Sequence, residues 1–276
     1  LTMTNVKTKI EARNGSTKLQ LTRKQLESVA KILRVVDYDA VFRIKKDKIT
    51  TKIVDGSHVC LIELTWPANA FQNYETTEQV IGVENLDDLI FAVKTAGMKD
   101  TVTIEIDADC AYTISTKYQT SRMKSLDPES INQPRSPDFT GMDYAQVFDV
   151  PSDFLKVALA GIKRKHHLVN FRIDEKNLKI FATHSERYGR SGEKWQYNFE
   201  CDEGETTKKY PIQSAMTYSG RNLKSFFSQL HSAKAMDISL KFYTPDGKGG
   251  PLEITANLPD GANIKYVLAP RMNDGV

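Results

Sequence analysis

The chain has 276 residues, of which 40% are hydrophobic and 26% charged, as is ordinary for a globular domain. No apolar run approaches the roughly 20 residues that a membrane-spanning helix needs, and residues 1–15 lack the apolar core of a secretory signal. The three cysteines lie far apart without a CxxC pair, which favours a reducing compartment and argues against structural zinc.

The first half of the chain predicts an α+β module. Thr22 is predicted to cap a helix that runs to about Val36, since apolar residues then recur at helical spacing. A second amphipathic helix is predicted over 85–97, and segments of alternating polarity predict strands. The predicted strands are Ala40–Ile44, Lys48–Val54, His58–Thr65, Gln79–Val83, Thr101–Ile106 and Ala111–Thr120.

The second half repeats this order of elements. A helix is predicted over 152–163, and a second one follows Tyr218. Asn85-Leu86, which opens a helix, recurs as Asn222-Leu223. We therefore predict two repeated domains of mainly antiparallel sheet, each covered on one face by two helices. The predicted boundaries are 1–121 for the first domain, 122–140 for a connecting segment and 141–276 for the second domain.

The connecting segment holds Pro128, Pro134 and Pro137, three of the ten prolines. Proline removes a backbone donor and restrains the residue before it, so the segment cannot form a regular helix or a central strand. A linker of this length between compact halves is either disordered or a binding surface. Ile131, apolar among polar neighbours, favours the binding surface, because it would form one wall of a groove.

The sequence offers few signs of catalysis. It contains no phosphate-binding GxxxxGK[ST] loop, no GxGxxG, no HExxH and no GxSxG. The adjacent His166 and His167 point in different directions and lack a spaced partner, which argues against a metal site. We therefore expect no catalytic residues, no metal and no cofactor. The alternative is an enzyme that acts on nucleic acid through scattered carboxylates.

Basic residues recur on the exposed faces of the predicted helices. Surface helices often carry lysine, but recurrence on equivalent faces favours a shared surface that contacts phosphate. No aromatic residues interleave with these cations, so the pattern predicts duplex contacts without base reading. The predicted DNA-facing residues are Lys24, Lys31, Arg34, Lys94, Lys156, Lys163, Arg164, Lys165, Arg221 and Lys224.

Five short motifs, in order, resemble one family. These motifs resemble segments of the DNA sliding clamps, the proliferating cell nuclear antigen family. The resemblance covers about residues 18 to 272. The motifs are Ile53–Val59 (IVDGSHV), Ile81–Val83 with Asn85-Leu86, Leu126–Glu129 (LDPE), Val150–Ser152 with Phe154, and Tyr266–Met272 (YVLAPRM).

The resemblance implies a trimeric ring that threads onto duplex DNA and tethers enzymes through short QxxLxxFF-type peptides. The implied partners are a DNA polymerase, a clamp loader, a flap endonuclease and a ligase, inside the nucleus of a eukaryote or the cytoplasm or nucleoid of an archaeon. A specialised or checkpoint-type subunit of a heterotrimer is the alternative. Together with Ile131, the implied peptide groove comprises Val54, Gln133, Pro251, Val267, Ala269 and Pro270.

Two exposed alternating segments, Ile114–Arg122 and Glu193–Phe199, lie in different halves. Unpaired strand edges invite pairing with another chain, and pairing one edge with the other closes into a ring when the rotation permits. We therefore predict that head-to-tail contacts between subunits use Tyr118 and Gln119 on one edge and Trp195 and Tyr197 on the other.

Overall fold

A computed structural model gives the structure of residues 16–107, 110–131, 139, 142–150, 153–162, 167–174, 177–183, 195–200, 216–244 and 249–271. These residues form an α+β fold, as predicted. The helices are α1 (Arg23–Leu33), α2 (Leu86–Ala92), α3 (Phe154–Gly161) and α4 (Gly220–Ala233), with a 3-10 turn at Ala68–Ala70.

The strands of the first half are β1 (Thr17–Thr22), β2 (Ala40–Ile44), β3 (Lys48–Val54), β4 (Cys60–Pro67), β5 (Asn73–Glu75), β6 (Gln79–Val83), β7 (Thr101–Ile106), β8 (Tyr112–Ser115) and β9 (Thr120–Met123). Those of the second half are β10 (Tyr144–Val150), β11 (Leu168–Asp174), β12 (Asn177–Thr183), β13 (Trp195–Glu200), β14 (Met216–Ser219), β15 (Met236–Tyr243), β16 (Leu252–Asn257) and β17 (Asn263–Leu268). The predicted bounds of β2, β3, β6 and β7 are confirmed.

The strands form three antiparallel sheets. The first half supplies a five-stranded sheet in the order β5-β1-β7-β8-β9, and the second half supplies a four-stranded sheet in the order β13-β12-β11-β14. The third sheet has eight strands in the order β10-β15-β16-β17-β4-β3-β2-β6, so each half contributes four strands to it. The two halves therefore share a continuous sheet, which the sequence pattern did not reveal.

The junction between the halves is the pairing of β4 with β17, which places Cys60 opposite Leu268 and Thr65 opposite Asn263. Helix α4 covers this junction, because the ring of Phe226 stacks on that of Tyr266 with centroids 4.1 Å apart. The hydroxyl of Tyr266 donates to Cys60 Sγ at 3.2 Å. This buried contact joins β17 to β4, and the stacking of Phe226 on Tyr266 therefore ties α4 to both halves of the sheet.

The four helices of the described chain lie side by side on the core face of the sheets. Helix α1 packs against α2 and α4, and α4 packs against α3, which gives the spatial order α2-α1-α4-α3. Thr22 and Gln25 form a capping box at the start of α1, as the sequence predicted for Thr22. Asn85 caps α2 and Ser219 caps α4 through their side chains.

The opposite face of the eight-stranded sheet points away from the helices and carries two parallel rows of side chains. A charged row crosses the junction: Glu63 of β4 pairs with Lys265 of β17 at 3.0 Å and with Lys52 of β3 at 3.8 Å. The neighbouring row, two residues along each strand, is apolar and consists of Val54, Leu61 and Val267, which lie directly opposite one another. We call these three residues the apolar row.

Several predicted elements differ in extent from those in the structure, including the strand predicted at His58–Thr65, which is Cys60–Pro67, and the helix predicted over 152–163, which is Phe154–Gly161. The predicted strand Ala111–Thr120 is a hairpin, because β8 ends at Ser115 and β9 begins at Thr120. The Thr116 hydroxyl makes the turn by accepting from the backbone N–H of Gln119, while Thr116 N–H donates to Gln119 O at 2.8 Å. Helix α1 ends at Leu33 and α2 at Ala92, before the predicted 36 and 97.

Candidate functional site

The predicted DNA-facing residues that the structure describes lie on the four-helix layer. Lys94, Lys156 and Arg221 are exposed, whereas Lys24, Lys31, Arg34 and Lys224 are partly exposed. Lys163, Arg164 and Lys165 fall outside the described residues. The exposed cations therefore lie just after the end of α2 (Lys94), on α3 (Lys156) and on α4 (Arg221), and α1 with its C-cap Arg34 contributes partly covered ones.

Two of the predicted cations on α1 are engaged within the protein. Arg34 Nε donates to both carboxylate oxygens of Asp87 at 2.9 Å, and its guanidinium lies 3.9 Å from the ring centroid of Tyr38. This arrangement fixes the end of α1 against the start of α2. Lys31 pairs with Glu27, one turn earlier on the same helix. Both cations give up part of their capacity to contact phosphate.

Glu27 holds Arg23 and Lys31 together on α1, with only 12% of its side chain exposed. Burial favours a raised pKa for this carboxyl, but hydrogen bonds and charges from Lys31 and Arg23 outweigh it and lower the pKa below 4.5. Because the folded-state pKa lies below the unfolded one, the ionised carboxylate stabilises the fold above about pH 4.5. That contribution disappears as the pH falls through the folded-state pKa.

We therefore predict that Glu27→Gln lowers the free energy of unfolding at neutral pH by about 1 kcal/mol and has a smaller effect in acid. Urea titrations at both pH values measure this. The matched control is Glu129→Gln, at an exposed glutamate in the turn after Asp127, which should change little at either pH. An equal loss of stability at neutral and acidic pH would show that Glu27 acts through packing rather than charge.

The predicted subunit contacts lie at two sheet edges. In the described part of the chain, β9 ends the five-stranded sheet and β13 ends the four-stranded one. Trp195 and Tyr197 belong to β13 and lie opposite Ala182 and Ile180 of β12. Tyr118 and Gln119, however, lie in the turn before β9 rather than in a strand, and Tyr118 is 67% exposed.

Along β9, residues whose backbone groups bond to β8 alternate with residues whose backbone groups face the open edge of the sheet. The bond from Thr116 N–H to Gln119 O makes these two residues a hydrogen-bonded pair. In an antiparallel ladder such pairs alternate with non-bonded ones, so Thr120, opposite Ser115, is non-bonded toward β8. The N–H and C=O groups of Thr120 and Arg122 therefore point to the open edge.

The structure gathers part of the predicted peptide groove. The apolar row is covered by the side chain of Phe139, which packs against it and stacks on Tyr243 with ring centroids 4.6 Å apart. Ala269 lies beside the row, because its N–H donates to Val59 O at 2.8 Å. Pro251 O accepts from Tyr243 N–H at 3.0 Å, which places it at the end of β15.

Ile131 lies at a different place on the same face. Its Cδ1 atom packs against Gly82 of β6, and β2 separates β6 from β3, which carries Val54. Pro270 follows Ala269 and is partly exposed, and Gln133 falls outside the described residues. The structure therefore joins Val54 with Val267 and places Ile131 at the far edge of the sheet.

Sequence reasoning missed Leu61, Phe139 and Tyr243. The signal for Leu61 was available, because Cys60-Leu61-Ile62 is apolar at three consecutive positions of a strand. Successive strand residues point to opposite faces, so such a run indicates that both faces are covered. Phe139 gave no comparable signal, since its partner Tyr243 is far away in the sequence.

Within the described residues, no three His, Cys, Asp or Glu side chains come together as a metal site would require. Cys60 is buried, which raises the pKa of its thiol to about 11, and it accepts a hydrogen bond from Asn222 Nδ2 at 2.9 Å. A thiol with so high a pKa is a poor nucleophile. Among the described helices, none is long and apolar enough to span a membrane.

Comparison with known proteins gives consistent results. Residues 12–130 match the family "Proliferating cell nuclear antigen, N-terminal domain". The chain is 24% identical over 249 residues to a DNA polymerase sliding clamp of Pyrococcus horikoshii, covering 87% of this chain and 92% of that protein. It is 26% identical over 263 residues to a protein of the same description from Thermoplasma acidophilum, covering 92% and 98%.

Among solved structures, one described as the C-terminal region of FEN-1 bound to A. fulgidus PCNA has the same fold. It superposes with a TM-score of 0.75 at 21% identity and covers 94% of this chain and 100% of that one. Residues 12–130 are therefore similar to the N-terminal domain of proliferating cell nuclear antigen, and the chain has, over nearly its whole length, the fold of that solved structure.

Proposed function

We propose that this chain is a DNA polymerase sliding clamp, a subunit of a ring that encircles duplex DNA and tethers replication and repair enzymes. The observation that carries the proposal is the layer α2-α1-α4-α3, in which side-by-side helices carry exposed cations across both halves of the chain. A ring of such layers surrounds DNA with positive charge without reading its sequence. The similarity to archaeal clamps supports the same function.

The ring forms by pairing β9 of one subunit with β13 of the next. These edges lie on sheets from different halves, so each contact is heterologous and the assembly closes when the rotation permits. The same edge pairing could also join this chain to related but non-identical chains in a heterotrimer. Light scattering on the lone chain decides between them: a trimer supports a homotrimeric ring, and a monomer supports a specialised subunit of a heterotrimer.

A topological experiment tests the encircling function. The protein is loaded onto a nicked circular plasmid with an ATP-driven clamp loader, and gel filtration at high salt then separates bound from free protein. We expect the protein to stay with the circle and to leave when a restriction enzyme linearises it. Retention on linear DNA equal to that on the circle would contradict encirclement and indicate ordinary binding.

The helical layer should contact phosphate loosely, because a sliding protein gains nothing from tight binding. We predict that Lys156→Gln with Arg221→Gln weakens loading on duplex DNA without changing sequence preference. Each lost phosphate contact should reduce the slope of log affinity against log salt by about 0.9. Electrophoretic mobility shifts at several salt concentrations measure this slope.

The matched control is Lys45→Gln with Lys46→Gln, which removes two exposed cations from the turn between β2 and β3, away from the helices. It should leave the slope unchanged. An equal effect of both double variants would mean that net charge, rather than the helical layer, governs binding. Arg34→Gln should have a smaller effect than Lys156→Gln, because Asp87 and Tyr38 already hold Arg34.

We also propose that the groove beside the apolar row receives the apolar face of a short partner peptide, in the helix-in-groove mode. The row is an apolar strip beside the charged row of Lys52, Glu63 and Lys265, and among the described residues Phe139 of the connecting segment packs against it. No chemistry is required of such a site, so the clamp is proposed to act as a scaffold without catalysis.

A further inference from the structure

The connecting segment is anchored to β6 through one residue, Gly82. The Gly82 N–H donates to Ser125 Oγ at 2.8 Å, and the Gly82 carbonyl accepts from Leu126 N–H at 2.9 Å. Leu126 thereby forms an isolated antiparallel bridge with Gly82. Both backbone groups of a single residue at the edge of the eight-stranded sheet therefore hold the start of the segment.

Glycine is required at this point by space rather than by backbone conformation. A Cβ atom added to Gly82 would lie 2.7 Å from the backbone oxygen of Leu126 and 3.0 Å from Ile131 Cδ1. The first distance is shorter than van der Waals contact permits, and the oxygen belongs to a backbone that cannot rotate away. Any side chain at position 82 therefore pushes the segment off the sheet.

A local turn then directs the segment back over the same glycine. The Asp127 carboxylate accepts from Glu129 N–H at 3.0 Å, and the Asp127 carbonyl accepts from Ser130 N–H at 2.9 Å. This turn returns the chain so that Ile131 covers Gly82. Residues 125–131, which we call the anchor loop, are thus fixed by hydrogen bonds at one end and by packing at the other.

The anchor loop places Ile131 on the outward face of the eight-stranded sheet, over Gly82. The described residue at its other end, Phe139, covers the apolar row and Tyr243. We propose that Gly82 is a positioning residue for partner binding: it touches no partner, but it holds the anchor loop, at the start of the segment whose Phe139 packs against the apolar row, in a fixed place on the sheet. This inference rests on the proposed function of the groove.

The physical reason is preorganisation. A groove wall that is held in its bound position loses little entropy when a peptide docks, whereas a detached wall must be ordered at the expense of binding free energy. Gly82→Ala should therefore weaken binding of a fluorescent QxxLxxFF peptide by about tenfold, with every groove side chain unchanged. Ser125→Ala removes only one hydrogen bond of the anchor and should weaken binding by about threefold.

Hydrogen exchange of the full chain, read by mass spectrometry, tests the anchor without any partner. We expect faster exchange of residues 124–131 in Gly82→Ala, and a smaller increase in Ser125→Ala. The matched glycine control is Gly56→Ala, where an added Cβ meets no atom within 4 Å, and exchange of the anchor loop should not change. Unchanged exchange in both anchor variants would overturn the assignment of the anchor.

The peptide titration separates the two proposals. If exchange increases but the variants bind the peptide as tightly as the unsubstituted chain does, Gly82 is not a positioning residue and the inference fails. If the unsubstituted chain does not bind the peptide, the proposed groove fails, while the anchor stands or falls on the exchange data. Ser125→Ala keeps the test decisive if Gly82→Ala does not fold.

Discussion

Replacing Thr120 by proline is expected to convert the proposed ring into folded monomers. Thr120 opens the edge strand β9, and its N–H and C=O groups point away from β8 toward the open side. Proline removes that N–H donor and places its ring where a neighbouring strand would approach. Because the lost donor makes no bond to a residue that the structure describes, the hairpin itself should persist.

The control for this prediction is Thr120→Ala, which removes the side chain but keeps the N–H. The hydroxyl of Thr120 lies 3.3 Å from that of Ser115 on an exposed surface, so its loss should matter little. Light scattering should then give a trimer for the alanine variant and a monomer for the proline variant, with the same circular dichroism. A trimer that survives Thr120→Pro would exclude β9 from the interface.

The same variant connects assembly to function. A monomer keeps its helical layer and its basic residues but cannot encircle DNA. Thr120→Pro should therefore lose retention on circular plasmid at high salt while keeping weak binding to duplex DNA at low salt. If monomers were retained on circles, binding would depend on direct contacts rather than on topology.

The sequence predicted those parts of the fold in which local pattern and tertiary burial agree. Strands β3 and β7 alternate between one covered face and one polar face, so their bounds followed from period-two alternation. The stripe of α1 and its Thr22 cap were equally local. The ends of α1 and α2 were less accurate, because apolar residues continue the helical spacing after the backbone has turned.

Long-range pairing could not be predicted in the same way. The contact between Cys60 and Tyr266 joins residues 206 positions apart, and no local pattern encodes which strands meet at the junction. The hairpin at Thr116 was missed for a different reason. Its turn is made by a threonine hydroxyl rather than by glycine or proline, and the alternation of polarity continues through it.

The candidate groove illustrates both what a local sequence pattern can predict and what long-range strand pairing conceals. The repeated apolar runs Ile53-Val54, Cys60-Leu61-Ile62 and Tyr266-Val267-Leu268 each indicate a strand covered on both faces. Their alignment into one row depends on the register of β3, β4 and β17, which only the structure provides. Ile131 was correctly singled out as an unusual apolar residue, but it packs on Gly82 rather than beside Val54.

Phe139→Ala combined with Val267→Ala is expected to abolish measurable binding of a QxxLxxFF peptide. Val267 ends the apolar row, and Phe139 packs against that row from the connecting segment. A peptide that buries its aromatic side chains there depends on both surfaces. Small interfaces of this kind bind with Kd values near micromolar, which corresponds to a binding free energy of about −8 kcal/mol. Losing a few kcal/mol of this free energy therefore makes binding too weak to measure.

The size of the effect follows from apolar burial. Removing the phenyl ring of Phe139 and two methyl groups of Val267 costs about 3 kcal/mol of contact, a factor of more than 100 in affinity. The stability of the fold should fall by only about 1–2 kcal/mol, since Val267 is one small buried side chain at the surface of the sheet. Circular dichroism melts and light scattering should therefore still show a folded trimer.

The matched control is Val80→Ala, which makes the same truncation at a valine of β6 that is 41% exposed and lies outside the apolar row. Fluorescence anisotropy of a labelled peptide should give equal Kd values for this variant and for the unsubstituted chain. The double variant should give no saturation at concentrations where the control is fully bound. Equal affinities for all three proteins would place the docking surface elsewhere on the protein.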